Sequence, residues 1–256
     1  MDPDAIQDKK VYFLSDAHLG ASVLSDNSER ERKLVHFLET IRPDCAALYL
    51  LGDMFDFWFE YKRVVPKGFV RFLGTLARFT DAGIPVHFFT GNHDIWAFDY
   101  LPRECGVTLH TTNEELTLSG KHFLVGHGDG LNPRDKKYLF LKRVFHNRFL
   151  QSCFRAIHPS WGIKLADAWS SHSRLKENGK VEASAYRGDD REGIVLYCKH
   201  RLKESHFDYF IFGHRHLPID LPLTPTSRYI NTGDWITHFS YATFDGKELR
   251  LLFYKP

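Results

Sequence analysis

Short apolar runs alternate with longer amphipathic ones through the first third of the chain. Residues 11–15 (VYFLS) are apolar and too few for a helix, and they predict a buried strand. Residues 28–41 place Leu34, Phe37, Leu38 and Ile41 on one face of an amphipathic helix, which Pro43 ends. Residues 46–51 predict a second strand, 69–82 a second helix closing near Gly83, and 86–90 a third strand. Strands and helices in alternation predict parallel βαβ units. Past Cys105 the rhythm changes. Residues 116–118, 122–126, 209–212, 229–232, 239–244 and 249–254 are strand-like, with Asp245-Gly246 marking a hairpin between the last two. The interval 135–202 reads as helical. No linker, repeat or low-complexity stretch divides the chain. The expected architecture is α/β, one domain over residues 1–256 with a helical insertion at about 134–202.

Composition narrows the class. A chain with 43% apolar and 26% charged residues is globular, and its 256 residues can bury a substantial core. Cys45, Cys105, Cys153 and Cys198 form no C-x-x-C pair. That argues against a cysteine zinc site or a disulfide scaffold and fits a reducing compartment. The first ten residues lack the apolar centre of a secretory signal, and no stretch reaches the ~18 apolar residues of a membrane span. A cytoplasmic location is expected, with any membrane met from its surface. The net charge of +2 is unevenly placed: residues 134–180 hold 11 Lys+Arg against 3 Asp+Glu. Such a segment faces an anionic partner, unless it is simply a solvated helical face.

Ligand-type residues recur where the predicted strands end. Asp16-Ala17-His18 follows the first strand, Gly52-Asp53-Met54-Phe55-Asp56 the second and Gly91-Asn92-His93-Asp94 the third. Gly126-His127-Gly128-Asp129 and Gly213-His214-Arg215-His216 end two later ones. The carboxyl ends of parallel strands share an edge, so the first three loops should converge. In extended backbone, residues two apart point the same way, so Asp16 with His18, and His214 with His216, would each offer two groups to one site. Mixed carboxylate and imidazole donors suit Mn, Fe, Zn or Co better than Ca or Mg. Taken singly, each motif is weak, since Asp-x-His is common on surfaces and Asn-His-Asp in turns. Five in order at strand ends predict one metal centre.

That ordered set, Asp-x-His, Gly-Asp-x-x-Asp, Gly-Asn-His-Asp, Gly-His-Gly-Asp and Gly-His-x-His, resembles the signature of the calcineurin-like metallophosphoesterases, from residue 11 to about 216 and on into the closing strands. The resemblance implies a β-sandwich flanked by helices, in α/β/β/α layers. By position it implies that Asp16, His18 and His216 bind one divalent metal ion, that Asn92, His127 and His214 bind a second, and that Asp53 bridges them. Mn2+ is the metal it favours. The catalytic group it implies is His93 with Asp53 and Asn92, His93 stabilising the transition state or protonating the leaving oxygen. Asp56 and Asp94 would orient histidines from behind the ligands.

Within that family the chain is most similar to the UDP-2,3-diacylglucosamine pyrophosphohydrolases of lipid A synthesis. The similarity is carried by residues 52–58 (GDMFDFW), by 127–131 (HGDGL) with Asp135 and Tyr138, and by the place and charge of the insertion. It implies hydrolysis of the pyrophosphate to UMP and a lipid monophosphate (lipid X) beneath a helical cap. It also implies substrate contacts from Asn92, His93, Asp135, Arg174, Lys176 and His214, and a peripheral position on the cytoplasmic face of the inner membrane. His93 is a departure, since many such enzymes carry Arg there. In the insertion, Tyr138, Leu139, Phe140, Leu141, Val144, Phe145, Phe149 and Leu150 alternate with Lys136, Lys137, Lys142, Arg143 and Arg148. That pattern fits lipid tails beside an anionic bilayer, or else an apolar face packed on the core. A soluble phosphodiester or nucleotide is the alternative substrate. The aliphatic content argues against a nucleic-acid groove, and the filled ligand positions argue against a non-catalytic scaffold.

Overall fold

The computed structural model describes residues 9–22, 24, 26–132, 134–165, 186, 188 and 191–255. The first three apolar runs form parallel strands β1 (Lys10–Leu14), β2 (Cys45–Leu50) and β3 (Val86–Phe89), and β4 (Thr108–His110) extends the parallel set. Strands β10 (Ser240–Phe244) and β11 (Leu249–Phe253) add antiparallel to the other side of β1, giving the order β11-β10-β1-β2-β3-β4. The second sheet contains β5 (Glu114–Leu118), β6 (Lys121–Val125), β7 (Tyr209–Phe212), β8 (Pro218–Thr224) and β9 (Ser227–Thr232), in the order β5-β6-β7-β9-β8. Its three central strands are parallel and its two edges antiparallel.

The central strands β1, β2 and β3 of the first sheet are buried on both faces, which is why they read as apolar runs. Along β1, Val11 and Phe13 face the second sheet, packing in one cluster with Phe123, Val125, Ile211 and Ile230. Tyr12 and Leu14 face the helices α1 (Asn27–Ile41) and α2 (Val70–Asp81). Those helices bury Leu34, Phe37, Leu38 and Ile41, and Phe72, Leu76 and Phe79, at i, i+3, i+4 spacing. Each such side chain contributes roughly 1.5–3 kcal/mol of transfer free energy. Helix α2 stops where Gly83 takes φ +75°, and the backbone N–H of Gly83 donates to Thr80 O. A short helix, α3 (Tyr100–Cys105), precedes β4.

Between β6 and β7 run α4 (Lys136–Phe145), α5 (Arg148–Ala156), helical residues 159–165 and α6 (Gly193–Arg201). Although α6 falls inside the expected insertion, it packs on the core. Its Ile194, Val195 and Cys198 bury against Leu124, Phe210, Phe212 and Tyr229, forming the outer layer over the second sheet. Helices α4 and α5 bury no residue fully. They rest on an aromatic bed, where Phe154 packs against Phe59 and Trp96 with ring centroids 4.8 and 5.2 Å away. The Trp96 indole N–H also donates to Phe145 O at 3.0 Å. The expected substrate contacts Arg174 and Lys176 lie outside the described residues.

Candidate metal centre

The carboxyl ends of β1, β2, β3, β6 and β7 deliver the predicted ligand loops to one place, and the backbone there is unusual. Among the described residues eight non-glycine residues have positive φ, and five of them are predicted ligands: Asp16 (56°), His18 (42°), Asp53 (53°), His214 (68°) and His216 (52°). Left-handed backbone costs a residue with a Cβ of order 1–3 kcal/mol and persists only where the surroundings enforce it. Here they do. Asp16 N–H donates to Gly52 O and His18 N–H to Asp53 O, both at 3.0 Å, so the first two loops lock each other. The pairs Asp16/His18 and His214/His216 therefore converge through left-handed turns, not through extended backbone as the alternation suggested. Glycine is required at Gly91, where an added Cβ would fall 2.7 Å from both Asp53 Cγ and Asp53 N.

Among the described residues three donor clusters result: one joins His18, Asp56 and His93, and the other two hold the predicted ligands. In the first of these two, His18 Nε2 lies 3.1 Å from His216 Nε2, 3.8 Å from Asp16 Oδ1 and 3.7 Å from Asp53 Oδ2, and His216 Nε2 lies 3.1 Å from Asp16 Oδ1. In the second, His127 Nε2 is 3.3 Å from Asp53 Oδ2 and 3.2 Å from Asn92 Oδ1, and His214 closes the set. Asp53 belongs to both groups, and its Oδ2 is the atom that faces both histidines.

The tautomers are set from behind. His127 Nδ1–H donates to Leu51 O (2.8 Å), and His18 Nδ1 pairs with Asp56 Oδ1 (3.2 Å). In both rings the Nε2 lone pair is thereby left facing carboxylate and amide oxygens. Among the described residues, buried Asp16 Oδ1 accepts no hydrogen bond and faces the Nε2 atoms of His216 and His18, while Oδ2 accepts from Ser15 Oγ and from His214 N–H (2.9 Å). Acceptors facing acceptors at 3–4 Å repel unless a cation lies between them. The donor set thus fits divalent metal binding.

Electrostatics agree with that geometry. Burial favours the neutral acid at Asp53, but His127, His93 and His18 outweigh it and hold the carboxyl well below the usual range. Asp16 is likewise held low, by His216 and His18 against its burial. Burial opposes charge on His127, yet Asp53 pushes it up to about 10, so without metal a proton serves as the cation. Burial and neighbouring His127 bring His214 down to about 4.

His93 packs edge-on against His18, ring centroids 4.7 Å apart, and its Nδ1–H donates to Asp56 O at 2.8 Å. Among the described residues no hydrogen bond holds its Nε2. Asp94 does not orient a histidine as expected. Its carboxylate accepts backbone N–H groups from Gly91 (2.7 Å), Met54 (2.9 Å) and Asp53 (3.3 Å), because the third loop turns back over the second. Asp135 stands exposed at the start of α4, where it accepts Tyr138 N–H (3.0 Å) as a helix cap. Two supports escaped the sequence reading. Arg30, 3% exposed, donates to Ala17 O (3.0 Å) and His18 O (3.4 Å). Its signal was a charge at the i−4 position from Leu34, on the apolar stripe of α1. Asn231 Nδ2, at the end of β9, holds Gly213 O at 2.5 Å and gave no sequence signal.

Comparison with known proteins places these loops in context. Residues 9–218 match the calcineurin-like phosphoesterase family. A UDP-2,3-diacylglucosamine hydrolase of Porphyromonas gingivalis is 42% identical over 252 residues, covering 94% of this chain and 96% of that protein. Proteins of the same name from Neisseria gonorrhoeae and Edwardsiella ictaluri are 29% and 28% identical, the first over 91% of each chain, the second over 94% of this chain and 90% of its own. Matched over most of its length, with the donor set carried at the ends of the matched strands, the chain belongs to the calcineurin-like phosphoesterase family and is a hydrolytic enzyme.

Proposed function

We propose that the enzyme hydrolyses the pyrophosphate of UDP-2,3-diacylglucosamine, releasing UMP and the acylated sugar 1-phosphate (lipid X). The observation that supports a two-cation centre is the single Asp53 Oδ2 shared by two histidine groups. The substrate reading rests on similarity to the Porphyromonas gingivalis protein along nearly the whole of both chains. In this reading Asp16, His18 and His216 hold one divalent cation, Asn92, His127 and His214 hold the other, and Asp53 holds both, with Mn2+ the first choice of metal. Bound, the cations supply Lewis acidity toward phosphoryl oxygens and a water of lowered pKa. The protein's part is orientation and proton handling. Asp56 and the Leu51 carbonyl keep His18 and His127 turned inward. His93, tied through Nδ1, presents Nε2 to the leaving phosphoryl oxygen, where it stabilises charge or delivers a proton. Asp94 keeps the Gly91–His93 turn against Asp53, so Asn92 and His93 stay fixed relative to the shared carboxylate.

Residues 134–165 serve as part of a cap in this reading, with Asp135 at its entrance and Arg174 and Lys176 as further substrate contacts. Phe140, Phe149 and Leu150 are 67%, 74% and 43% exposed, and Lys136, Lys137, Arg143 and Arg148 stand exposed among them. An apolar face left in water beside cations favours acyl chains and an anionic bilayer surface over simple packing on the core. Among the described residues no helix is long and apolar enough to cross a membrane. The proposed enzyme works as a peripheral protein on the cytoplasmic face. The test is UMP release from the acylated UDP-sugar beside a panel of soluble phosphodiesters and nucleotides. Turnover of a soluble ester with no UMP from the lipid would overturn the proposal.

A further inference from the structure

Asp129 lies two residues beyond His127, between glycines at φ +109° and +70° (Gly128 and Gly130), and is 8% exposed. Nothing in the metal-ligand set uses it. Its Oδ2 accepts the Tyr138 hydroxyl at 2.8 Å and pairs with Lys142 Nζ at 2.6 Å, and Lys142 Nζ also reaches Asp129 O at 3.3 Å. Tyr138 and Lys142 are i and i+4 on α4, so one carboxylate gathers two side chains from the same helical face. The Tyr138 ring also lies against His214, centroids 6.4 Å apart. Gly130 is part of the fit, because a Cβ there would sit 3.3 Å from Lys142 Cδ in left-handed backbone.

The arrangement matters because α4 has no fully buried residue and its Phe145 end, packed on Trp96, is what seats on the aromatic bed. Its last turn is fastened at the Phe145 carbonyl by Trp96. Its first turns are fastened by polar contacts to Asp129, on the same loop as His127. A charge-assisted pair plus a hydroxyl bond at a mostly buried acceptor is a directional hold, unlike a greasy contact that can slide.

We propose that Asp129 is a positioning residue: through Tyr138 and Lys142 it sets the register of α4 beside His214, and so aligns the cap with the metal centre for a large substrate. The role rests on the proposed function only in naming that substrate. Small esters that need no cap are hydrolysed independently of it.

The test uses the Mn2+-loaded full chain with Tyr138→Phe combined with Lys142→Met, and Lys142→Arg as the conservative control. Kinetics are measured on UDP-2,3-diacylglucosamine and on bis(p-nitrophenyl) phosphate, and amide hydrogen exchange is followed over residues 136–145. Losing both contacts should lower kcat/KM on the lipid by about tenfold or more, with kcat falling as well as KM rising. The small ester should change less than about twofold, and Lys142→Arg should recover most of the loss. Exchange over α4 should rise while β6 and β7 stay protected. Equal losses on both substrates would overturn the proposal, as would unchanged exchange over α4. Faster exchange over α4 in a protein whose wild type releases no UMP from the lipid supports the clasp and removes the substrate reading instead.

Discussion

Replacing Arg30 by methionine withdraws a guanidinium from beneath the Asp16–His18 loop while keeping most of the side-chain bulk. Arg30 donates to Ala17 O at 3.0 Å and His18 O at 3.4 Å, and its Nε pairs with Asp26 at 3.1 Å. The buried Ala17 carbonyl left without its donor costs about 1–3 kcal/mol, while His18 O keeps the Ala21 N–H at 3.3 Å and loses only about 0.5–1.5 kcal/mol. The pair with half-exposed Asp26 adds little, and relief of a desolvated cation offsets part of the loss. A net cost of about 2 kcal/mol follows, or a melting temperature lower by roughly 4–8 °C in a chain of this size. Because His18 sits in left-handed backbone that this contact helps enforce, metal affinity should fall too. Calorimetric melting of the metal-free protein and Mn2+ titration of the folded variant measure the two effects. A melt within about 2 °C of wild type, with unchanged metal affinity, would refute the reasoning.

Four further outcomes are expected. His93→Ala should lower kcat by about 10²–10⁴ with metal content retained, and loss of metal along with activity would make His93 structural. Metal binding at pH 8 should release protons, visible as buffer-dependent heats, because Asp53 overcomes burial to hold metal-free His127 up to about 10. By the same linkage, the stability His127 gives the metal-free fold is complete below the free imidazole value of 6.5 and is lost as pH rises through about 10. A melt that does not fall from pH 7 to 10 would contradict it. Asp94→Asn puts an amide N–H₂ where backbone N–H groups of Gly91 and Met54 now donate, and should lower the melting temperature and metal affinity together. Wild-type values for both would show that the carboxylate is not needed there.

The central strands and the ligand loops were legible because their signals are local. Val11 to Leu14, Ala47 to Leu50 and Val86 to Phe89 are buried on both faces, so they stand out as apolar runs, and the motifs sit at their ends. Strand β8 was not legible: Pro218 and Pro222 argue against a strand, and only its edge position, bonded to β9 alone, tolerates them. Strand β4 and helix α3, at 3 and 6 residues, are too short to show a period. Within the site, residue types revealed which groups gather but not how. Five left-handed residues, the turn of Asp94 toward backbone, and the grip of Asp129 on α4 all depend on contacts distant in sequence. Where 193–201 packs was not legible for the same reason: the apolar positions of α6 do not reveal which sheet they cover.

Metal stoichiometry decides whether one centre holds two cations through a shared carboxylate. Protein reconstituted with Mn2+ and freed of loose ion should contain about two metal ions per chain by elemental analysis. Asp53→Asn should fall below one, since a single carboxylate oxygen faces both histidine groups. One tightly held ion in the wild type, or two retained by Asp53→Asn, would contradict a centre built on a shared Asp53.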